Sequence, residues 1–323
     1  MSIALQTDKT PADYAALAGI AEAAGFDGVS VFADLGFQPP GPALTVIAGA
    51  TRRVRIGAAA QNPALVHPVE LATQLATLDL FSGGRAYLGL ARGAWLSGLG
   101  APSTDLARLE DTVQIVRRLL ANDDSGYAGK VLGLPAGVRL QYPTLRSEVD
   151  LLVGTWGRRT AVWAAAAGAA EIKVGGTANP AMVQRMSSWL AESGATSSPG
   201  IVAGAVTVVD RDGRAARALA RREVAMYVDV VADLDPTVEL EPDLLPALRT
   251  RLAAGDPDGA AALIGDDLLD TFAFAGTPDA VAAQAERLFE AGASRVEFGT
   301  PHGLDARHGV DLLGSRVLPA LRG

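Results

Sequence analysis

Ile3-Ala4-Leu5-Gln6 runs into Thr7-Asp8-Lys9-Thr10, and this junction decides the fold. The apolar start reads as a buried strand. A strand opening a doubly wound nucleotide-binding sheet would pass into a glycine fingerprint, because only glycine lets that turn approach a pyrophosphate. Residues 7–10 contain no glycine. The same unit, a short apolar strand followed by an amphipathic helix, recurs to the end of the chain. Further strands are expected near Gly28–Phe32, Val54–Ala59, Ala86–Leu90, Leu151–Gly154, Glu171–Val174, Ile201–Val209 and Arg295–Phe298. Eight strands joined by crossover helices, with no dinucleotide loop, predict an α/β fold, a (β/α)8 TIM barrel.

Helix signals fall where that alternation needs them. Leu106, Leu109, Val113, Val116 and Leu120 recur at spacings of three and four and so share one helical face. Thr277-Pro278 reads as an N-cap followed by proline at the first helical position, with Gly292 ending the helix. Asn122–Glu148 and Leu234–Thr271 interrupt the alternation without the composition of a linker. They are expected to be insertions near 122–148 and 234–271 in a single domain over residues 1–323.

Composition narrows the chemistry. With 28 Lys and Arg against 36 Asp and Glu, the formal charge is −8, and no basic block offers a surface for nucleic acid or an anionic membrane. The absence of cysteine removes disulfides, thiolate metal sites and thiol nucleophiles. Three histidines, His67, His302 and His308, lack the spacing of a zinc site, so no metal is expected. The first ten residues lack a basic stretch followed by an apolar core, and the longest apolar run, near Ala161–Ala170, is far short of a span. A cytoplasmic protein acting on a small molecule is expected.

Barrel chemistry is built on the loops at the C-terminal strand ends. Strand three ends in Ala58-Ala59-Ala60-Gln61-Asn62-Pro63, small residues that either pack the barrel or let backbone lie against a planar ligand. Strand four carries Gly89 and Gly93. Gly154-Thr155-Trp156-Gly157-Arg158-Arg159 and Lys173-Val174-Gly175-Gly176-Thr177 are strand-to-helix turns whose amides either face an anion at a helix N-terminus or merely turn the chain. Strand eight ends in Gly299-Thr300-Pro301-His302-Gly303, where His302 is a structural residue or a ligand contact.

Taken together, these segments resemble the luciferase-like flavin and deazaflavin oxidoreductases, in particular the branch of methylenetetrahydromethanopterin reductase. The residues that carry the resemblance are Ala23-Ala24-Gly25-Phe26-Asp27-Gly28, Gln61-Asn62-Pro63 with His67-Pro68, Ser82-Gly83-Gly84-Arg85 with Leu88-Gly89, Gly154-Thr155-Trp156-Gly157, Gly276-Thr277-Pro278 and Gly299–Gly303. The resemblance implies coenzyme F420 as cofactor, with FMN as the alternative, and a homodimer. It places a non-proline cis peptide at Ala59–Ala60 behind the cofactor ring. Asp34 is then beside the ring, with Ala59, Ala60, Gln61, Asn62, Gly93, Thr155, Trp156 and Gly157 around the cofactor, and Gly175, Gly176 and Thr177 at its phosphate.

Gln6, Asp34 and His302 are the expected catalytic residues. Relatives that oxidise alcohols carry a histidine after the acidic residue of strand two and a glutamate after strand four, where this chain has Leu35 and Ala94 or Trp95. The methanopterin-type reductases keep an acid where this chain has Gln6. Alcohol oxidation needs a base, so the resemblance points instead to hydride transfer from reduced coenzyme F420 to a C=N or C=C bond. A monooxygenase using reduced FMN, or a barrel subunit without cofactor, are the alternatives.

Overall fold

The structure is a computed structural model that describes residues 1–93, 96, 100, 104–194 and 198–322. The chain begins β1 (Ser2–Leu5), α1 (Pro11–Ala24), β2 (Gly28–Val31), α2 (Pro40–Ala50), β3 (Arg55–Ala58), α3 (Pro68–Ser82), β4 (Leu88–Ala91) and α4 (Leu106–Leu120). A small hairpin, β5 (Tyr127–Ala128) with β6 (Gly133–Leu134), precedes β7 (Leu151–Gly154), α5 (Arg158–Ala166), β8 (Glu171–Gly175), α6 (Pro180–Glu192) and β9 (Gly200–Val209). Then come α7 (Gly213–Val231), α8 (Leu244–Ala253), α9 (Pro257–Ala261), α10 (Asp266–Phe272), β10 (Ala273–Gly276), α11 (Pro278–Glu290), β11 (Arg295–His302), α12 (Ala306–Leu312) and α13 (Leu318–Arg322). The eight expected strands are β1, β2, β3, β4, β7, β8, β9 and β11. Among the described residues no helix is long and apolar enough to cross a membrane.

The chain divides into two compact units. The first holds Met1–Leu5, Ile20–Phe26 and Trp156–Gly323. Its strands run in the order β1-β11-β9-β8, all parallel, with β10 also paired to β9. On one face Phe298 meets Phe26 and Phe274 edge to face, with ring centroids 6.4 and 5.3 Å away. On the other face the register aligns Glu171 with Gly200, and both Lys173 and Arg295 with Val202. Gly204 is aligned with both Gly175 and Glu297. This face is charged. Lys173 pairs with Glu297, which also accepts from the Ser2 hydroxyl, and Arg295 binds Glu171 through Nε and Nη2 at 2.8 Å each.

Strand β9 lies between the partners, so Lys173 must reach across it. Gly204 makes that possible: a Cβ there would sit 3.2 Å from Glu297 Cβ and 3.6 Å from Lys173 Cε.

The second unit holds Gln6–Gly19 and Asp27–Thr155. Strands β2 and β3 pair in parallel, as do β4 and β7, and single bridges Ile56 to Ala86 and Gln61 to Leu90 link the two pairs. Here too a side chain crosses a strand. The Tyr87 hydroxyl lies 2.8 Å from Ser30 Oγ and 3.1 Å from Gly57 O, and a Cβ on Gly57 would come within 2.8 Å of the Tyr87 ring. Ser82-Gly83-Gly84-Arg85 serves as a bolt at the opposite strand ends. The Arg85 guanidinium donates to the carbonyls of Ala48, Thr51, Val54 and Ser82, closing the C-terminus of α2.

The two segments expected as insertions are tied down by side chains. Within 122–148, the β5-β6 hairpin folds onto Asp111 of α4, whose carboxylate accepts from the Lys130, Val131 and Leu132 amides and the Tyr127 hydroxyl. Within 234–271, helices α8 to α10 pack on α7 around Leu245, Leu248, Leu269 and Phe272. Strand β10, which the sequence pattern did not suggest, follows directly and takes the edge of β9 at Val206–Val209.

Two outcomes follow. Glu297→Gln keeps the shape but takes the carboxylate from the buried Lys173 ammonium, while Arg295 keeps Glu171; a loss of about 3–5 kcal/mol is expected in chemical denaturation. Burial alone would raise the Asp111 pKa, but the amides of Leu132 and Val131, the Tyr127 hydroxyl and the Lys130 amide outweigh it and hold the group below the ordinary carboxylate range. Its stabilising contribution is therefore complete above the unfolded value, about 3.9, and is lost as pH falls through the lower folded one. Hydrogen exchange of amides 130–132 should accelerate below about pH 4, and in Asp111→Asn already at neutral pH.

Candidate functional site

In the second unit the C-terminal strand ends are lined by small residues. Ala91 is in register with Gly154, and a Cβ built on Gly154 would lie 3.1 Å from Ala91 Cβ and 3.9 Å from Ala60 Cβ. Backbone and methyl groups thus form a low platform across β3, β4 and β7. The Ala59–Ala60 peptide at its edge is cis, as the family resemblance implies. Ala91 carried no expected role, and Gly154 was expected in a turn that either faces an anion or merely turns the chain. Their alternation with large apolar neighbours gives no hint that they share a surface; the strand register does.

Polar side chains nearby turn away from the platform. Gln61, expected at the cofactor, sends its amide to Gln74 of α3 at 3.3 Å, and Gln74 in turn binds Glu70. Only the Gln61 backbone stays at the strand end, bridging Gly89 O and the Ala91 amide. Asn62 is a clasp. Its Nδ2 donates to Arg92 O at 3.1 Å, and its Oδ1 accepts from the Ala64 amide and from the Thr104 hydroxyl at 2.6 Å. Arg92 Nε also donates to Thr104 O, so both ends of the β4-α4 connection are tied to one asparagine. Gly93 completes the clasp, with φ +84 and room for a Cβ only 1.8 Å from Asn62 Nδ2. The Gln61 and Asn62 side chains thus have partners within the protein, and the Gly93 backbone lies close against Asn62.

At the ends of β1 and β2, Gln6 Nε2 donates to Asp34 Oδ2 at 2.8 Å. Gln6 is buried and Asp34 half-buried. Leu35 follows in the turn; Ala94 and Trp95 lie outside the described residues. Thr155 is half-buried at the end of β7.

The first unit contributes two turns and a histidine. Trp156 Nε1 donates to Gly175 O at 3.0 Å and its ring packs on the apolar core of α7 and α10. Gly157 is the N-cap of α5, no side chain caps that helix, and Arg158 and Arg159 occupy its first turn. The second turn departs from expectation. The amides of Gly176 and Thr177 both donate to Gly204 O, at 2.6 and 3.0 Å, and the Ala178 amide to Thr271 O. Thr177 is fully buried and its hydroxyl accepts from the Asn179 amide. These groups have partners within the fold. His302 is likewise fully buried, at φ +76, with Nε2 3.2 Å from Phe298 O. It presents no surface to a substrate in this structure.

A parallel strand-and-helix fold with small residues at its C-terminal strand ends defines the general class, an α/β barrel. The likeness to known proteins narrows this. A profile of the luciferase-like monooxygenase family matches residues 2–295, and the chain belongs to that family. It is 29% identical over 293 residues to the 5,10-methylenetetrahydromethanopterin reductase of Archaeoglobus fulgidus, covering 86% of each chain. Among solved structures it superposes on the coenzyme F420-dependent tetrahydromethanopterin reductase of Methanopyrus kandleri with a TM-score of 0.89, at 24% identity and 99% coverage of both chains. It superposes on an F420-dependent secondary alcohol dehydrogenase, solved with an F420–acetone adduct, with a TM-score of 0.79 at 20% identity, covering 100% of this chain and 99% of that one. The fold is the (β/α)8 barrel that the sequence predicts.

Gly36 and Gly93 separate two costs. Both have left-handed backbone, φ +82 and +84, but a Cβ on Gly36 meets nothing within 4 Å. Gly36→Ala should show the conformational cost alone, about 1 kcal/mol, and Gly93→Ala that cost plus the lost Asn62 clasp, at least 1 kcal/mol more by denaturant unfolding.

Proposed function

We propose that the protein is a coenzyme F420-dependent oxidoreductase that reduces a C=N or C=C bond of a small organic substrate. The observation that supports this is the cluster of small residues Ala60, Ala91 and Gly154 at neighbouring strand ends, against which a flat tricyclic ring could lie. The likeness to F420-dependent reductases supports the choice of ring. When bound, the reduced deazaflavin supplies the hydride. The protein's part is to position: Ala59 and Ala60 support one face of the ring, and Thr155 bounds the site at the end of β7.

The phosphate is assigned to the N-terminus of α5. Its Gly157 N-cap and the Arg158 side chain present positive charge there, whereas the amides of the Gly175-Gly176-Thr177 turn are already engaged. Arg158 pairs with Glu192 at 3.2 Å on an exposed surface, a weak contact that an anion can replace. His302 supports β11 rather than the reaction. Leu35 stands where a base would serve alcohol oxidation, which favours reduction as the direction. By family analogy the active form is a cytoplasmic homodimer.

Fluorescence titration separates the cofactors. Binding of F420 with FMN at least tenfold weaker is expected; preference for FMN would make the protein a flavin enzyme, and binding of neither a subunit without cofactor. Ala60→Leu raises a side chain into the platform and should weaken F420 binding by at least tenfold, about 1.4 kcal/mol, with an unchanged circular dichroism spectrum. Arg158→Glu should weaken it similarly, whereas Thr177→Val should lower stability with less than twofold effect on F420 affinity.

A further inference from the structure

Strands β3 and β4 meet at two bridges, Ile56 with Ala86 and Gln61 with Leu90, and the stretch between them is one residue longer on β3 than on β4. At the first bridge the Ile56 amide donates to Arg85 O and the Tyr87 amide to Ile56 O; at the second the Gln61 amide donates to Gly89 O and the Ala91 amide to Gln61 O. The surplus residue therefore lies within Gly57–Ala60. On its other side β3 stays paired with β2 as far as Ala58, and the Ala59 amide still donates to Val31 O at 2.8 Å. The bulge thus opens toward β4 alone, and an extra residue with nothing opposite it bends the strand that carries it.

Strands once removed from each other in a sheet stand about 9–10 Å apart. Ala60 Cβ nevertheless lies 3.9 Å from a Cβ built on Gly154 of β7, on the far side of β4. An alanine has no length to span that gap, so the backbone itself carries Ala60 across. At the root of the bulge is Gly89, buried in β4: a Cβ on it would overlap the Ala58 carbonyl oxygen and stand 3.1 Å from the carbonyl carbon. The obstacle is backbone, which cannot rotate aside as a side chain can.

We propose that Gly89 is a positioning residue: its missing side chain admits the Ala58 carbonyl, and with it the surplus residue that brings Ala60 beside Gly154. Gly89 acts through Ala60, the residue assigned to the face of the ring. With alanine at 89 the carbonyl must move, the bulge shifts and Ala60 is withdrawn. The consequence for the cofactor rests on the reading of the protein as deazaflavin-dependent; the link between Gly89 and the bulge does not.

Deleting Ala59 removes the surplus residue, which separates this role from ordinary packing. Gly89→Ala is compared with and without the deletion, and Gly57→Ala likewise as the control, because a Cβ on Gly57 strikes the Tyr87 ring and carbonyl instead. Urea unfolding should show the deletion restoring at least half of the midpoint lost in Gly89→Ala and none of that lost in Gly57→Ala. Fluorescence titration should show Gly89→Ala binding coenzyme F420 at least tenfold more weakly than the wild type, with no recovery in the folded double variant. If Gly89→Ala yields no soluble protein, soluble folded protein from the double variant is the expected recovery, and the Ala59 deletion with Gly89 intact carries the F420 measurement. A midpoint or soluble yield that the deletion does not raise in Gly89→Ala, or raises equally in Gly57→Ala, overturns the link between Gly89 and the bulge. F420 affinity within twofold of the wild type overturns its link to the ring. Wild-type protein that binds no F420 removes the cofactor reading alone, and the unfolding comparison still decides the bulge.

Discussion

Lys173 and Glu297 stand on strands that do not touch each other, and they meet because the strand between them offers only a hydrogen at residue 204. The rest of the first unit is arranged around that crossing. Ser2 binds the other carboxylate oxygen of Glu297, Arg295 spans Ser2, Glu297 and Glu171, and the four charges cancel in pairs within a few ångströms. Buried charges are tolerable only when each is both paired and hydrogen-bonded, and here every member belongs to the same network. The second unit solves its interior by the same device with different chemistry. Tyr87 lies across Gly57 to reach Ser30, so an aromatic ring fills what an ion pair fills elsewhere.

This way of filling the interior separates stability from chemistry along the strands. The crossings, and the Arg85 bolt on α2, lie toward the strand starts, where they fix the positions of β1, β8, β9 and β11 in one unit and of β2, β3 and β4 in the other. The C-terminal ends then need no large side chains. They can be finished with Ala60, Ala91 and Gly154 and left flat, which suits an enzyme whose cofactor does the bond-making. Polar residues that look functional by position, Gln61, Asn62 and Thr177, also have hydrogen-bond partners within the protein. That is itself a requirement of catalysis by positioning, since a shelf that moved by an ångström would misalign the transfer.

The eight strands were legible because each is a brief apolar run between helices with clear period and caps; Thr277 caps α11 and Leu106–Leu120 forms α4 as the spacing indicates. Strand β10 was not. Four residues, Ala273-Phe274-Ala275-Gly276, directly after a helix carry no alternation, and their role as a strand comes from a partner some sixty residues earlier. At the site, residue type was readable and direction was not. Glycines, a threonine and an asparagine at strand ends satisfy a phosphate, a ring or their own backbone equally well from sequence. The hydrogen-bond partners of Gly176, Thr177 and Asn62 become visible only in the structure. His302 shows the same limit, for nothing local says that its ring will be enclosed beneath α12.

Strand β9 has one further dependence, in time rather than space. Strand β8 covers its edge only from Gly200 to Gly204, then turns away through Gly176, and β10 takes over the same edge from Val206 to Val209. During synthesis the segment Val206-Thr207-Val208-Val209 emerges long before β10 does, because α7 to α10 intervene. At roughly 5–20 residues per second, the ribosome leaves that β-branched edge unpaired for several seconds. An unpaired edge of this composition is a template for joining another chain. The nascent protein must therefore pass through a period of exposed β-structure that the finished barrel does not reveal, and the long amphipathic α7, which follows at once, is the first element able to shelter it.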